Sequence, residues 1–368
     1  MLRKIKYFVI IIGLFLVSKN LEAKIIMKPY LQGVSQNRIY IMAECDDKIP
    51  VEVEFWDTDS SNHRIATTTF MMATDNNQPT FVHRIILDSL MPDREYKYKT
   101  SQNSQTIEGG TFRTTVSPGS DFSFAIFGDC RSNPKVASKL SELIKKQDPY
   151  FSIYLGDLCI NGKYDSWKRE FFVDKQLDLI AEVPFFNTIG NHEGWSQNTK
   201  TFLQAPFSKS EKPDYYSFDY GDIHFLILNS IGNCKKNSLQ WKYAEDDLKK
   251  TDKKWKIVAF HYPAYCAGGH GEDNTMKQIT TEILEPNRVD IVLAGHSHFY
   301  QRNFVNGIYH FIIGGGGAPL YSPETEFYTQ KSAKAHHYAI VKLNGNKLTI
   351  KVYDIKNKII DELELKKK

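Results

Sequence analysis

The sequence predicts an α/β domain preceded by an all-β one, and three observations lead there. Before residue 117, short apolar runs with partial two-residue alternation are separated by Asp, Asn, Ser, Pro and Gly, the pattern of antiparallel strands. After Ser117-Pro-Gly-Ser120 the text changes to strand, loop and helix in repetition, which builds a sheet covered on both faces. Five of the later apolar runs end in Asp, Asn or His, and ligands of such sheets gather at the carboxyl ends of strands.

A chain of 368 residues is long enough for two domains and a sizeable core. Residues 1–23 stand apart. Arg3, Lys4 and Lys6 precede an apolar stretch from Tyr7 to Val17, and Leu21-Glu22-Ala23 ends on a small residue. Basic, then apolar, then small is the order of an export signal. The 11 residues from Tyr7 to Val17 are short for a membrane span, so no stable transmembrane anchor is expected. The expectation is a periplasmic, secreted or cell-surface protein. Much of the formal charge of +4 lies in this segment, and the remainder is nearly neutral. It has no basic run interleaved with aromatics, which argues against a nucleic-acid partner.

Residues 24–116 read as the sandwich. Arg38 to Ala43, Val51 to Phe55 and Phe81 to Leu87 are its clearest strands. Tyr96 stands six residues after Leu90, the spacing of a tyrosine corner in an immunoglobulin-like module. No catalytic cluster appears here, and His63 and His83 read as surface or cross-strand residues.

Residues 121–368 form the α/β domain. Phe122 to Phe127 is a strand. Pro134 to Lys146 is a helix, with Asn133 as its cap and Val136, Leu140, Leu143 and Ile144 on one face. Strand Tyr150 to Leu155, helix Trp167 to Ile180 and strand Val183 to Thr188 follow. A hairpin turns at Gly221-Asp222. Helices Ser238 to Lys250 and Thr275 to Leu284 alternate with strands Lys254 to Phe260 and Val289 to Leu293. Two late runs, Tyr309 to Ile313 and His337 to Leu343, precede a closing strand, Lys347 to Tyr353.

The five cysteines are an odd number, so at least one is free or pairs outside the chain. No Cys-x-x-Cys supports a zinc ribbon. Cys130 and Cys159 read as small packing residues, with thiolate ligation or a disulfide as the alternatives.

The chemistry lies in five blocks at strand ends: Gly128-Asp-Cys-Arg131, Gly156-Asp157, Gly190-Asn-His-Glu193, Phe260-His261 and Gly295-His-Ser-His298. Each offers a carboxylate, amide oxygen or imidazole, the donors of borderline or hard divalent metals. One Gly-Asp is an ordinary turn; five such blocks in series form a metal-site pattern. Gly314-Gly-Gly-Gly317 matches neither nucleotide fingerprint and reads as backbone that approaches the site closely. His224 reads as a structural residue behind the metals, and His310, His336 and His337 also read as structural.

The order Asp, Gly-Asp, Gly-Asn-His, His, Gly-His-x-His resembles the calcineurin-like metallophosphoesterases over Phe122 to about Tyr321. With a sandwich in front, opened by Pro29-Tyr-Leu-Gln32, the chain is similar to purple acid phosphatases, whose sandwich is of fibronectin type III kind. The resemblance implies a four-layer α/β/β/α fold and a phosphate-ester substrate. It implies two divalent or trivalent ions (Fe, Zn or Mn) and in-line attack by a hydroxide held between them. Asp157 would be shared by both ions. Asp129 and His298 would complete the first site, and Asn191, His261 and His296 the second. His192 would contact phosphate and protonate the leaving group. His270 is a second candidate acid or an exposed loop histidine.

Three departures stand out. Arg131 occupies a position where many relatives have His; it is either a phosphate clamp or a salt-bridge partner near the site. Ile160 stands where purple enzymes carry an iron-binding tyrosine. Asn161 is either a replacement ligand or a turn residue. The simplest reading is an exported phosphomonoesterase. The alternatives are a phosphodiesterase or nucleotidase on the same core, a binding protein that retains the fold, and an adhesion module centred on the sandwich.

Overall fold

The computed structural model of the protein describes residues 24–60, 62–103, 105–206 and 214–367. The export-signal reading falls on residues 1–23, outside this set. The first strands are β1 (Tyr30–Gln32), β2 (Ile39–Cys45), β3 (Glu52–Asp57), β4 (Arg64–Ala73), β5 (Phe81–Leu87), β6 (Glu95–Gln102) and β7 (Gln105–Arg113). β4 switches layers. Its first half pairs with β3, and its second half pairs with β5 after a register shift between Thr68 and Phe70. The chain thereby folds β1-β2-β5 over β4-β3-β6-β7, with Ile39, Ile41, Val53, Phe55, Ile85 and Phe112 buried between them. Tyr96 Oη accepts from the Met91 backbone N–H at 2.9 Å, the bond expected of a tyrosine corner. His63 stacks on Trp56, while His83 is buried and bonds Thr68.

The sandwich is joined to the rest through β1, the strand that contains Tyr-Leu-Gln. It pairs antiparallel with β2 and, through Gln32 and Phe185, parallel with a strand of the second part. Side chains reinforce the seam. Tyr98 donates to the Ala181 carbonyl at 2.8 Å, and buried Glu44 accepts from Tyr164 and Lys168.

The second part begins with β8 (Phe122–Phe127), β9 (Phe151–Tyr154) and β10 (Phe185–Asn187), which are mutually parallel. There follow β11 (Tyr216–Tyr220), β12 (Ile223–Ile227), β13 (Trp255–Ala259), β14 (Ile291–Ala294), β15 (Tyr300–Val305), β16 (Ile308–Ile313) and β17 (Thr329–Ala333). These seven make a second sheet with order β11-β12-β13-β14-β16-β15-β17. β18 (His337–Asn344), β19 (Lys347–Asp354) and β20 (Ile359–Lys366) return to the outer side of β8. The sheets face each other across an aromatic core: Phe124 and Phe151 meet Phe225 edge-on at 5.3 and 5.6 Å. Helices Pro134–Lys145 and Asp174–Ile180 cover the outer face of the first sheet, and Leu239–Lys250 and Asn274–Ile279 that of the second. This is the four-layer α/β/β/α arrangement.

Several sequence expectations are corrected. The helix expected from Trp167 to Ile180 is a π-turn, Trp167–Phe171, and a separate helix from Asp174. The wide turn and the break after it let Trp167, Phe171 and Phe172 all point inward. Asn274–Ile279 likewise continues as a π-turn to Leu284. Lys347 to Tyr353 does not close the sheet. β20 lies outside it, and its charged, alternating text suits an exposed edge. Among the described residues all five cysteines are buried and free.

Candidate functional site

The strand ends of both sheets converge. Three candidate ligands in the converging loops adopt left-handed backbone although none is glycine: Asp129 (φ 56°), Asp157 (φ 53°) and His296 (φ 68°). Such conformations cost energy and persist where the surroundings impose them, as at functional sites. Gly190 explains part of the imposition. A Cβ there would collide with the backbone N and carboxylate of Asp157. Gly316 likewise passes against the Gly128 carbonyl, to which its N–H donates at 2.9 Å, as the close backbone approach of this glycine run requires.

Two donor groups result, Asp157 with His261 and His296, and Asp129 with Asp157 and His298; within each, the ligand atoms lie within 4.8 Å of one another. Asp157 belongs to both. Asn191 Oδ1 lies 3.1 Å from His261 Nε2 and so borders the first group. Asp129, Asp157, His261 and His298 are buried.

The donor chemistry fits metal ions. His261 Nδ1–H donates to the Leu155 carbonyl at 2.7 Å, and His298 Nδ1–H to the Pro319 carbonyl at 2.8 Å. Carbonyls only accept, so each ring turns the Nε2 lone pair of its neutral form into the site. Burial lowers all three histidines, His296 to about 3 and His298 to about 4, leaving them neutral at pH 7. Burial, with Asp157 beside it, holds the Asp129 carboxyl well above the carboxylate range. A pair of buried carboxylates of this kind is relieved by a cation.

The other expected residues surround these groups. The His192 N–H donates to Asp157 Oδ1 at 3.0 Å, and its ring Nδ1–H donates to the Ile160 carbonyl at 2.9 Å. Its Nε2 sits 3.8 Å from Asp157 Oδ2, with the side chain 28% exposed. His270 stacks on His296 at 4.2 Å. Arg131 Nε donates to Asp157 Oδ2 at 3.2 Å, so the ion pair is formed. Asn161 is occupied otherwise: its Oδ1 accepts from Ser166 Oγ and the Lys163 N–H, the turn role. Cys130 and Cys159 are packed in the apolar core behind the loops.

His224 is not behind the metals. It lies near the start of β12, at the opposite end of the sheet, bonded to Asp219 and Asp247 at 2.7 Å each. The sequence reading also missed three residues. Tyr262 packs on His296, Tyr321 stacks on His298 and bonds His270, and Glu193 accepts the Gly190 and Leu158 N–H groups. Tyr262 adjoins the candidate ligand His261, and Glu193 lies two residues after Asn191, signals that were readable; Tyr321 carries no local signal.

A family model described as calcineurin-like phosphoesterase matches residues 122–300. These residues form a calcineurin-like phosphoesterase domain. The chain is 28% identical over 287 residues to purple acid phosphatase 23 of Arabidopsis thaliana, covering 65% of this chain and 61% of that protein. It is 28% identical over 268 residues to a phosphoenolpyruvate phosphatase of Allium cepa, covering 65% of this chain and 54% of that one. The chain thus spans less than two thirds of the length of these relatives. In fold, the calcineurin-like domain together with its sandwich superposes on purple acid phosphatase PPD1 of yellow lupin. The TM-score is 0.81 at 20% identity, covering 94% of this chain and 74% of the lupin chain.

Proposed function

We propose that this chain is an exported phosphoesterase that hydrolyses phosphate esters, most simply monoesters, at a centre of two metal ions. The proposed division is an export signal at 1–23, a β-sandwich at 24–116 and the hydrolase domain at 121–368. The observation that carries the reading is the pair of buried donor groups sharing Asp157. Purple acid phosphatases and a phosphoenolpyruvate phosphatase among the relatives support the substrate class.

Asp157 would bridge the ions, with Asp129 and His298 on one side and Asn191, His261 and His296 on the other. Fe, Zn or Mn suits such a mixed oxygen and nitrogen set. When bound, a metal pair lowers the pKa of water toward ~7 and neutralises phosphate oxygens. The protein supplies the rest. The tethered tautomers of His261 and His298 keep lone pairs inward. His192 holds its Nδ1 proton on Ile160, so as imidazolium it presents the Nε2 proton toward the cleft, where a leaving oxygen needs one. His270, bonded to Tyr321, borders the same cleft and is the second candidate donor.

The test is a panel of phosphomonoesters, phosphodiesters and nucleotides on protein of measured metal content, with Asp157→Asn alongside. Monoester turnover that disappears in Asp157→Asn is expected. Turnover retained in that variant sinks the proposal, a preference for diesters moves it to a phosphodiesterase, and bound metal without turnover on any substrate makes the chain a binding protein.

A further inference from the structure

We infer that the guanidinium of Arg131 holds one of the two cation positions, so that this chain binds one metal ion tightly and a second far more weakly. The inference rests on the metal-centre reading above and narrows it: of the two proposed ions, the one beside Asp129 and His298 would be held only weakly, against a fixed guanidinium. The position is the one bordered by Asp129, Asp157 and His298. Arg131 Nε lies 3.2 Å from Asp157 Oδ2, and a terminal nitrogen of the same group lies 3.3 Å from His298 Nε2. His298 gives its Nδ1 proton to Pro319, so its Nε2 lone pair accepts from the guanidinium. Two of the three donors an ion would need are therefore already engaged by a fixed cation.

The arginine is built in. Its side chain is only 10% exposed, its second terminal nitrogen donates to Ser132 Oγ at 3.2 Å, and its backbone N–H donates to the Asp157 carbonyl at 3.2 Å. Glu170 accepts the Ser132 N–H at 2.8 Å and fixes the loop from outside. The neighbouring position is different. Asp157, His261 and His296 surround it and Asn191 adds an amide oxygen; the guanidinium touches only its shared member, Asp157, through Oδ2, its other side-chain partners being His298 and Ser132.

Charge points the same way. Once a bound ion has ionised Asp129, the two carboxylates and one guanidinium contribute a single net negative charge. One divalent ion reverses its sign, and another would leave three positive charges in a buried pocket, where repulsion is weakly screened. Arginine does not lose its proton to relieve this. Its exit from the position would need the ion pair with Asp157 to break.

The experiment is metal stoichiometry. Chelator-treated protein is titrated with Mn2+, and bound ions are counted by elemental analysis and electron paramagnetic resonance. The native chain is expected to take up one ion with an uncoupled spectrum, and a second at least ~100-fold more weakly. Arg131→Ala is expected to take up two, with the spectrum of a spin-coupled pair. Arg131→Lys, which keeps a cation, stays at one. Two tightly bound, coupled ions in the native chain overturn the inference and leave the metal-centre reading intact. One ion in Arg131→Ala, with a native circular dichroism spectrum, also overturns it. No ion in the native chain sinks both.

Discussion

The backbone N–H of His296 donates to both carboxylate oxygens of Asp129, at 3.1 and 3.0 Å. This bond ties the end of β8 in one sheet to the end of β14 in the other, across the cleft. Asp129 is thereby both a candidate ligand and a clamp between sheets.

Asp129→Asn separates those roles, because the amide still accepts one N–H. In chelator-treated protein the variant should melt a few degrees above the native chain at pH 8, since a buried carboxyl next to Asp157 has been made neutral. The sign follows from a carboxyl raised in the folded state: its ionisation opposes folding above the unfolded value. The gain should shrink as pH falls toward 4. With metal present the order should invert, because the native chain gains more from the bound ion. Differential scanning calorimetry with and without Mn2+ checks both signs.

His192→Ala should lower kcat by about 10²–10⁴ if the ring protonates the leaving group. The loss should be smallest for p-nitrophenyl phosphate, whose leaving group needs no proton, and largest for an alkyl phosphate. Equal losses on both substrates would reduce His192 to a phosphate contact.

His224 predicts a pH effect remote from the site. Burial lowers its pKa, but hydrogen bonds to Asp219 and Asp247 outweigh that and raise it to about 9. The folded state then keeps a proton that the unfolded state releases near ~6.5. Its stabilisation is complete below that value and is lost as pH rises through about 9. Allowing for half-exposed Asp219, the loss should be about 1–2 kcal/mol. Urea unfolding at pH 6 and pH 9.5 should show it in the native chain and not in His224→Gln.

The seam between the two parts can be probed at Glu44. Its buried carboxylate accepts from Thr80 and Tyr164 at 2.6 Å and from Lys168 at 2.7 Å. Glu44→Ala strands a partly buried ammonium and two hydroxyls, at a cost of about 2–4 kcal/mol. Glu44→Gln keeps the acceptor for the hydroxyls and should cost less. Guanidinium denaturation separates them; an unchanged midpoint in Glu44→Ala would mean that the seam does not contribute to stability.

The primary sequence was sufficient for the alternation of strand and helix, the cap at Asn133, the hairpin at Gly221 and the Tyr96 corner. Each is written in neighbours a few residues apart. It also nominated the candidate ligands, because a loop residue that follows a buried strand has few directions in which to point. What it left open concerns distance through space. Whether Arg131 faces a phosphate or Asp157, whether Asn161 points into the cleft or caps its own turn, and where His224 lies depend on how two sheets pack. Tyr262 meets His296, and Tyr321 meets His270 and His298, only because loops far apart in the chain close over one cleft. No short-range pattern encodes such a meeting; it is fixed when the aromatic core between Phe124, Phe151 and Phe225 sets the sheets against each other.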